Sequence, residues 1–158
     1  MSILSAVLAS SLLFAATPSP LAQQGNTHEV CNSATTHCFE QRVEQLSEIV
    51  AGCVETRKID GPMTYLACTQ NGELVSAAEF LTAEGDGVTY WLVEGKVVAI
   101  RFPHNNSLIW FEEDKVIEVY GEDFTLDDLS EFEINYLETM AEDGVAAIMQ
   151  MMAEQGDE

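Results

Sequence analysis

Hydrophobic and polar positions along the chain change period three times. Between Met63 and Tyr120, apolar residues fall in short runs rich in β-branched and aromatic side chains, separated by turn residues. Val88–Val93 and Lys96–Phe102 flank Glu94-Gly95, and Leu108–Glu112 and Lys115–Tyr120 flank Glu113-Asp114. A two-residue connection of this kind between two β-prone runs predicts a hairpin. Asn71-Gly72, between Met63–Gln70 and Glu73–Leu81, is the strongest such signal. Thr82–Gly87 reads as a loop, and Pro103-His104-Asn105-Asn106 as the joint between two hairpins.

In the simplest register Trp91 faces Val98, Tyr90 faces Ala99, Trp110 faces Ile117 and Leu108 faces Val119. Trp91, Val98 and Ile100 then share one face, and Tyr90, Leu92 and Val97 the other. In the next hairpin Phe111, Val116, Ile109 and Glu118 lie opposite Trp110.

Before this region Phe39, Val43, Leu46, Val50 and Cys53 recur at helical spacing, with Glu40, Arg42, Glu44 and Glu48 on the other face. They predict a helix from about His37 to Glu55, N-capped by Thr36. After Gly121 helical spacing returns at Leu126, Leu129, Phe132, Tyr136 (or Leu137) and Met140. Thr125 with Asp128 resembles a capping box, and Asp143-Gly144 is a point where the helix could break or kink. The expected fold is α+β. About six antiparallel strands run in sequential order over 63–120, with a helix at about 37–55 and a helix or helix pair at about 125–153.

The first residues have a different character. No charged residue precedes Glu29, and Ile3–Ala16 is an apolar run of the length of a signal-peptide core, though a positive N-terminal region is missing. Thr17-Pro18-Ser19-Pro20 cuts it short of the roughly 20 apolar residues a membrane span needs. The expected organisation is a signal peptide at 1–22, a polar lead-in at 23–35 and a single domain at 36–158, with the mature chain exported and without a span.

Four cysteines in an exported chain imply two disulfides. Cys38 and Cys53 on one helix would stand about 22 Å apart, far beyond disulfide reach. That leaves 31–38 with 53–68, the preferred set, or 31–53 with 38–68.

Charge narrows the partners. There are 27 acidic and 6 basic residues, for a net charge of −21, and from Glu112 to Glu158 Lys115 is the sole base. Such a chain repels nucleic acid and anionic membranes, and would attract a cationic protein.

Candidate chemistry is sparse. The chain contains no phosphate-loop, zincin or nucleophile-elbow motif and no Cys-x-x-Cys. His28, Cys31, His37 and Cys38 have zinc-type donors, but disulfide pairing of the cysteines is the preferred reading and no metal or cofactor is expected. His104 has no nucleophile near it in the pattern. Glu112 and Glu113 beside Trp110 have the make-up of a sugar site but occupy a turn tip. Glu122-Asp123 and Asp127-Asp128 lack a calcium-loop spacing, and Asn105-Asn106-Ser107 matches the glycosylation triplet.

The leading functional expectation is a non-catalytic exported protein acting by binding, for example to a basic secreted enzyme such as a lysozyme. A second is a small-molecule carrier or enzyme, with a pocket between sheet and helix lined by Tyr90, Trp91, Phe102 and Trp110. A third is a structural envelope protein that self-associates through the helix end carrying Met149, Met151 and Met152.

Overall fold

The structure, a computed structural model, describes residues 36–81, 85–121 and 126–154. Helix α1 (Thr36–Ile49) is followed by seven strands: β1 (Val54–Asp60), β2 (Met63–Gln70), β3 (Glu73–Leu81), β4 (Asp86–Val93), β5 (Lys96–Phe102), β6 (Ser107–Glu112) and β7 (Lys115–Tyr120). Helix α2 (Glu131–Ala153) ends the described chain. The strands form one antiparallel sheet in sequential order, so the fold is an α+β meander.

The α+β class and the meander follow the hydrophobic pattern, with one strand more than expected. Helix α1 stops at Ile49, and the residues expected to continue it to Glu55 instead turn at Gly52 (φ 74°) and enter β1. Val54, Thr56 and Ile59 are β-branched and resist helix, and β2 offers a ladder from Val54 opposite Thr69 to Asp60 opposite Met63. Cys53, at the mouth of this hairpin, is disulfide-bonded to Cys68 across a Cα separation of 5.7 Å. Cys38 is also disulfide-bonded; the partner expected for it, Cys31, lies outside the described residues, as do the whole apolar run Ile3–Ala16 and Thr125.

The tight turns fall where expected. Asn71-Gly72, Glu94-Gly95 and Glu113-Asp114 all have both residues at positive φ, the twist that suits a two-residue hairpin. The register beyond each turn differs from the simplest one. In all three hairpins it slips by one at the third residue after the turn, leaving Val75, Val98 and Ile117 as the extra residues. Trp91 therefore faces Ala99, Tyr90 faces Ile100, Trp110 faces Glu118 and Leu108 faces Tyr120. Because side chains alternate with period two, each bulge sends the residues beyond it to the opposite face.

The sheet is covered on both faces, in line with its scarcity of polar positions. On one face α2 covers a core of Tyr90, Leu92, Val97, Ile100, Ile109 and Phe111, together with its own Leu137 and Ile148. On the other, α1 covers Ala99, Leu108, Trp110 and Tyr120, mainly with Cys38 and Leu46.

Helix α2 begins at a capping box that pairs Ser130 with Glu133, five residues after the expected cap. Ser130 accepts from the Glu133 N–H while the Glu133 carboxylate accepts from the Ser130 N–H, satisfying two of the first-turn donors. Leu126 and Leu129, expected within the helix, instead pack beneath its start from a 3-10 turn at Leu126–Asp128 and the residue after it.

The helix then runs unbroken through Gly144. A Cβ on Gly144 would lie 2.2 Å from the Tyr90 hydroxyl oxygen and 2.6 Å from its ring. The glycine is there for close approach to the sheet, and it costs about 1 kcal/mol of helix propensity relative to alanine. At the far end, buried Lys58 of β1 donates to the Met151 carbonyl, where a cation opposes the helix dipole.

Gly144→Ala should therefore destabilise the fold by about 1–3 kcal/mol through overpacking, despite the better helix former. Urea denaturation checks this, and an increase in stability would show that Tyr90 can move aside.

Candidate functional site

Two features of the fold bring polar groups together, one on each side of the sheet. The α1 side is built by a bulge. Ile117 is the extra residue of β7, so Glu118 turns away from Phe111 and joins Trp110 under α1. Arg42, expected on the polar face of its helix, is 4% exposed and meets it there. The buried stripe of α1 is Cys38, Arg42 and Leu46, one position round from the expected Phe39, Val43 and Val50.

The Arg42 guanidinium grips Glu118 with both prongs, Nε to Oε2 at 2.8 Å and Nη2 to Oε1 at 2.5 Å. Its Nη1 donates to Gln45 Oε1 at 2.9 Å, and its carbon lies 4.3 Å above the Trp110 ring. The Tyr120 hydroxyl donates to Glu118 Oε2 at 2.6 Å, and the Tyr120 ring meets Phe39 edge-on. Hydrogen bonding to Glu118 holds the Arg42 pKa above its ordinary value against the cost of burial. Burial, reinforced by Glu118, pushes the Tyr120 phenol up to about 12.

This cluster is a clamp. The Glu118 oxygens already accept three hydrogen bonds, two from Arg42 and one from Tyr120, so the carboxylate is committed to holding the helix on the sheet. Beside it, Phe39, Leu46, Val50, Trp91, Arg101 and Leu108 line a small cavity of about 110 Å³.

The α2 side carries an open groove of about 800 Å³ between the helix and the tips of the β4–β5 and β6–β7 hairpins. Its charged lining consists of Lys96, Asp114, Lys115, Glu138 and Glu142, with Asn135 and Thr139 beside them. Lys96 pairs with Asp114 at 3.0 Å and Lys115 with Glu138 at 2.6 Å. The Lys115 ammonium holds the Glu138 carboxyl below its ordinary range.

The outer side of α2 continues from this groove. Phe132 is 78% exposed and Tyr136 58%, one helical turn apart. Glu131, Glu133, Glu142 and Asp143 are exposed on the same helix, which contains no lysine or arginine. Five of the six bases are engaged within the fold: Arg42 and Lys58 are buried, Lys96 and Lys115 are ion-paired, and Arg101 donates to Asn106. The acids of α2 are therefore largely uncompensated.

The four aromatics expected around one pocket do not converge. Tyr90 and Phe102 belong to the α2-side core, whereas Trp91 and Trp110 lie under α1, with the sheet between the two pairs. His104 forms a contact of 3.1 Å with Asp86 at the sheet margin. Glu112 and Glu113 sit at the β6–β7 tip, away from the buried Trp110 ring. In the Asn105-Asn106-Ser107 triplet, Asn105 accepts from the Ser107 backbone and hydroxyl, and Ser107 is buried. Of the residues with zinc-type donors, His28 and Cys31 lie outside the described residues, and among those described no three His, Cys, Asp or Glu side chains come together as a metal site.

No protein-family model, curated protein or solved structure matches the chain.

Two measurements test the clamp. Glu118→Gln strands a buried guanidinium and should cost about 3–5 kcal/mol in urea denaturation. Arg42→Met combined with Glu118→Met removes both charges and should cost less than the single change.

The phenols give a pH signature. Burial pushes Tyr90, like Tyr120, up to about 12, well above the ordinary phenol value. A folded-state pKa above the unfolded one favours the neutral phenol in the fold. That stability is present below pH 10 and is lost as pH rises towards 12. Phenolate absorbance should lose a late step in Tyr90→Phe and another in Tyr120→Phe; loss of an early step instead would refute the burial argument.

Proposed function

We propose that this chain is an exported, non-catalytic binding protein that takes a cationic protein on the outer face of α2. The observation that carries the reading is the exposed pair Phe132 and Tyr136 on a helix with five acids and no base. Large exposed aromatics on a charged helix suit a binding surface better than mere solubility, since solubility needs the acids alone. Arginines and lysines of a partner could stack on the two rings and pair with Glu131, Glu133 and Asp143.

The net charge of −21 supports steering of such a partner. The apolar run Ile3–Ala16 and the Cys53–Cys68 disulfide support export. The carrier reading is weaker, because its four aromatics are divided by the sheet.

The test is calorimetric titration of the oxidised chain with a lysozyme, as a basic secreted protein, at low and high salt. Binding that weakens with salt and falls roughly tenfold or more in Phe132→Ala/Tyr136→Ala is expected, a loss within the range for two interface aromatics. Absence of salt-sensitive binding to lysozyme and to other basic secreted proteins, or binding indifferent to both rings, would count against it.

A further inference from the structure

Strand β1 has a peculiar standing in the sheet. Of its seven residues only Lys58 is buried, so it adds little to either core. Val54 is 69% exposed and Ile59 60%. As the first strand in the sheet order it has no strand on its outer side among the described residues, so alternate N–H and C=O groups point outward. The opposite edge differs, because the last three residues of β7 are buried. Yet β1 is firmly held: the Cys53–Cys68 disulfide fixes its start, and Lys58 ties its other end to the C-terminal turn of α2.

We propose that the outer edge of β1 is a dimerisation edge, paired antiparallel with β1 of a second copy of this chain and centred on Thr56. The charges of the strand select the occupant. Glu55, Arg57, Lys58 and Asp60 give β1 two charges of each sign in a chain of net charge −21, so two copies can approach here without the repulsion their acidic helices would impose.

A two-fold axis perpendicular to a sheet pairs residues that point to the same face, so the axis must pass through one residue and its own copy. Centring on Arg57 sets arginine against arginine, centring on Glu55 sets glutamate against glutamate, and centring on Lys58 sets lysine against lysine. Centring on Thr56 sets Thr56 against Thr56, and Glu55 of each copy against Arg57 of the other. This register makes two opposite-charge pairs and no like-charge pair. Centring on Ile59 would pair Lys58 with Asp60 twice, but Lys58 is buried and already bonded to Met151, whereas Glu55 and Arg57 are exposed.

The rest of the fold is compatible with this arrangement. The Lys58–Met151 bond places the end of α2 that carries Met149, Met151 and Met152 beside β1, on the face shared by Val54 and Thr56. The acids from Glu131 to Asp143 lie towards the other end of a 23-residue helix, roughly 34 Å long.

Sedimentation equilibrium of the full oxidised chain, over a concentration series at physiological salt, tests the proposal. The wild type should form a dimer. Arg57→Glu and Glu55→Arg should each weaken it by roughly tenfold or more, since each turns two attractive pairs into repulsive ones. The double variant E55R/R57E should dimerise again, and an equimolar mixture of the two single variants should form a heterodimer. Both positions are exposed, and far-ultraviolet circular dichroism confirms that each variant is folded. A wild type that stays monomeric throughout, a dimer unmoved by Arg57→Glu, or a double variant that fails to recover would each overturn it.

Discussion

The Arg42–Glu118 ion pair connects helix α1 to the sheet, and several other features exist to make it tolerable. Two charges removed from water are costly, and their mutual attraction repays that cost only when geometry is good and the remaining polar groups are satisfied. Here the carboxylate is gripped bidentately, a third hydrogen bond comes from Tyr120, Gln45 takes another guanidinium N–H, and the Trp110 face covers the cation. Each partner comes from a different place in the chain, so the pair also specifies how α1 sits on β6 and β7. A purely apolar helix face could slide; a forked donor above one carboxylate cannot.

The bulge in β7 is the precondition for that arrangement. Were the β6–β7 ladder regular, Glu118 would point into the α2-side core beside Phe111 and Ile109, with no cation to meet it. The same one-residue slip recurs in the two preceding hairpins, at the same distance from the turn, and gives the meander a shared local geometry. In β4–β5 the slip sets Trp91 opposite Ala99 and so on the α1 face with Trp110, while Tyr90, its neighbour in the strand, points to α2 by simple alternation. A two-sided core follows, and the exterior offers an acidic helix with two exposed rings and a nearly bare, electrically balanced edge strand.

Much of this was legible in the residues. The hairpin turns at Asn71-Gly72, Glu94-Gly95 and Glu113-Asp114 stand where turn chemistry put them, because positive φ at two adjacent residues is a local requirement. The Ser130-x-x-Glu133 box is an equally local signal, and Thr125 with Asp128 competes with it five residues earlier. Strand β1 was obscured because Val50 and Cys53 continue the helical spacing, and only the ladder with β2 reveals the competing state. Arg42 reads as solvent-facing for the ordinary reason that charged residues are exposed; the signal against it is its position midway between Cys38 and Leu46 on one stripe.

The sequence by itself determined the two helices and the order of β2 to β7 between them, the turns, the concentration of acid after Glu112 and the α+β class, since each depends on residues near one another in the chain. Tertiary structure alone decided the bulged registers, the burial of Arg42 with Glu118, the role of Gly144 against Tyr90 and the exposure of Phe132 and Tyr136. The physical reason is common to all four. A one-residue slip or a rotation of a helix changes which face a side chain occupies without changing local propensity, so the choice rests with contacts between distant segments.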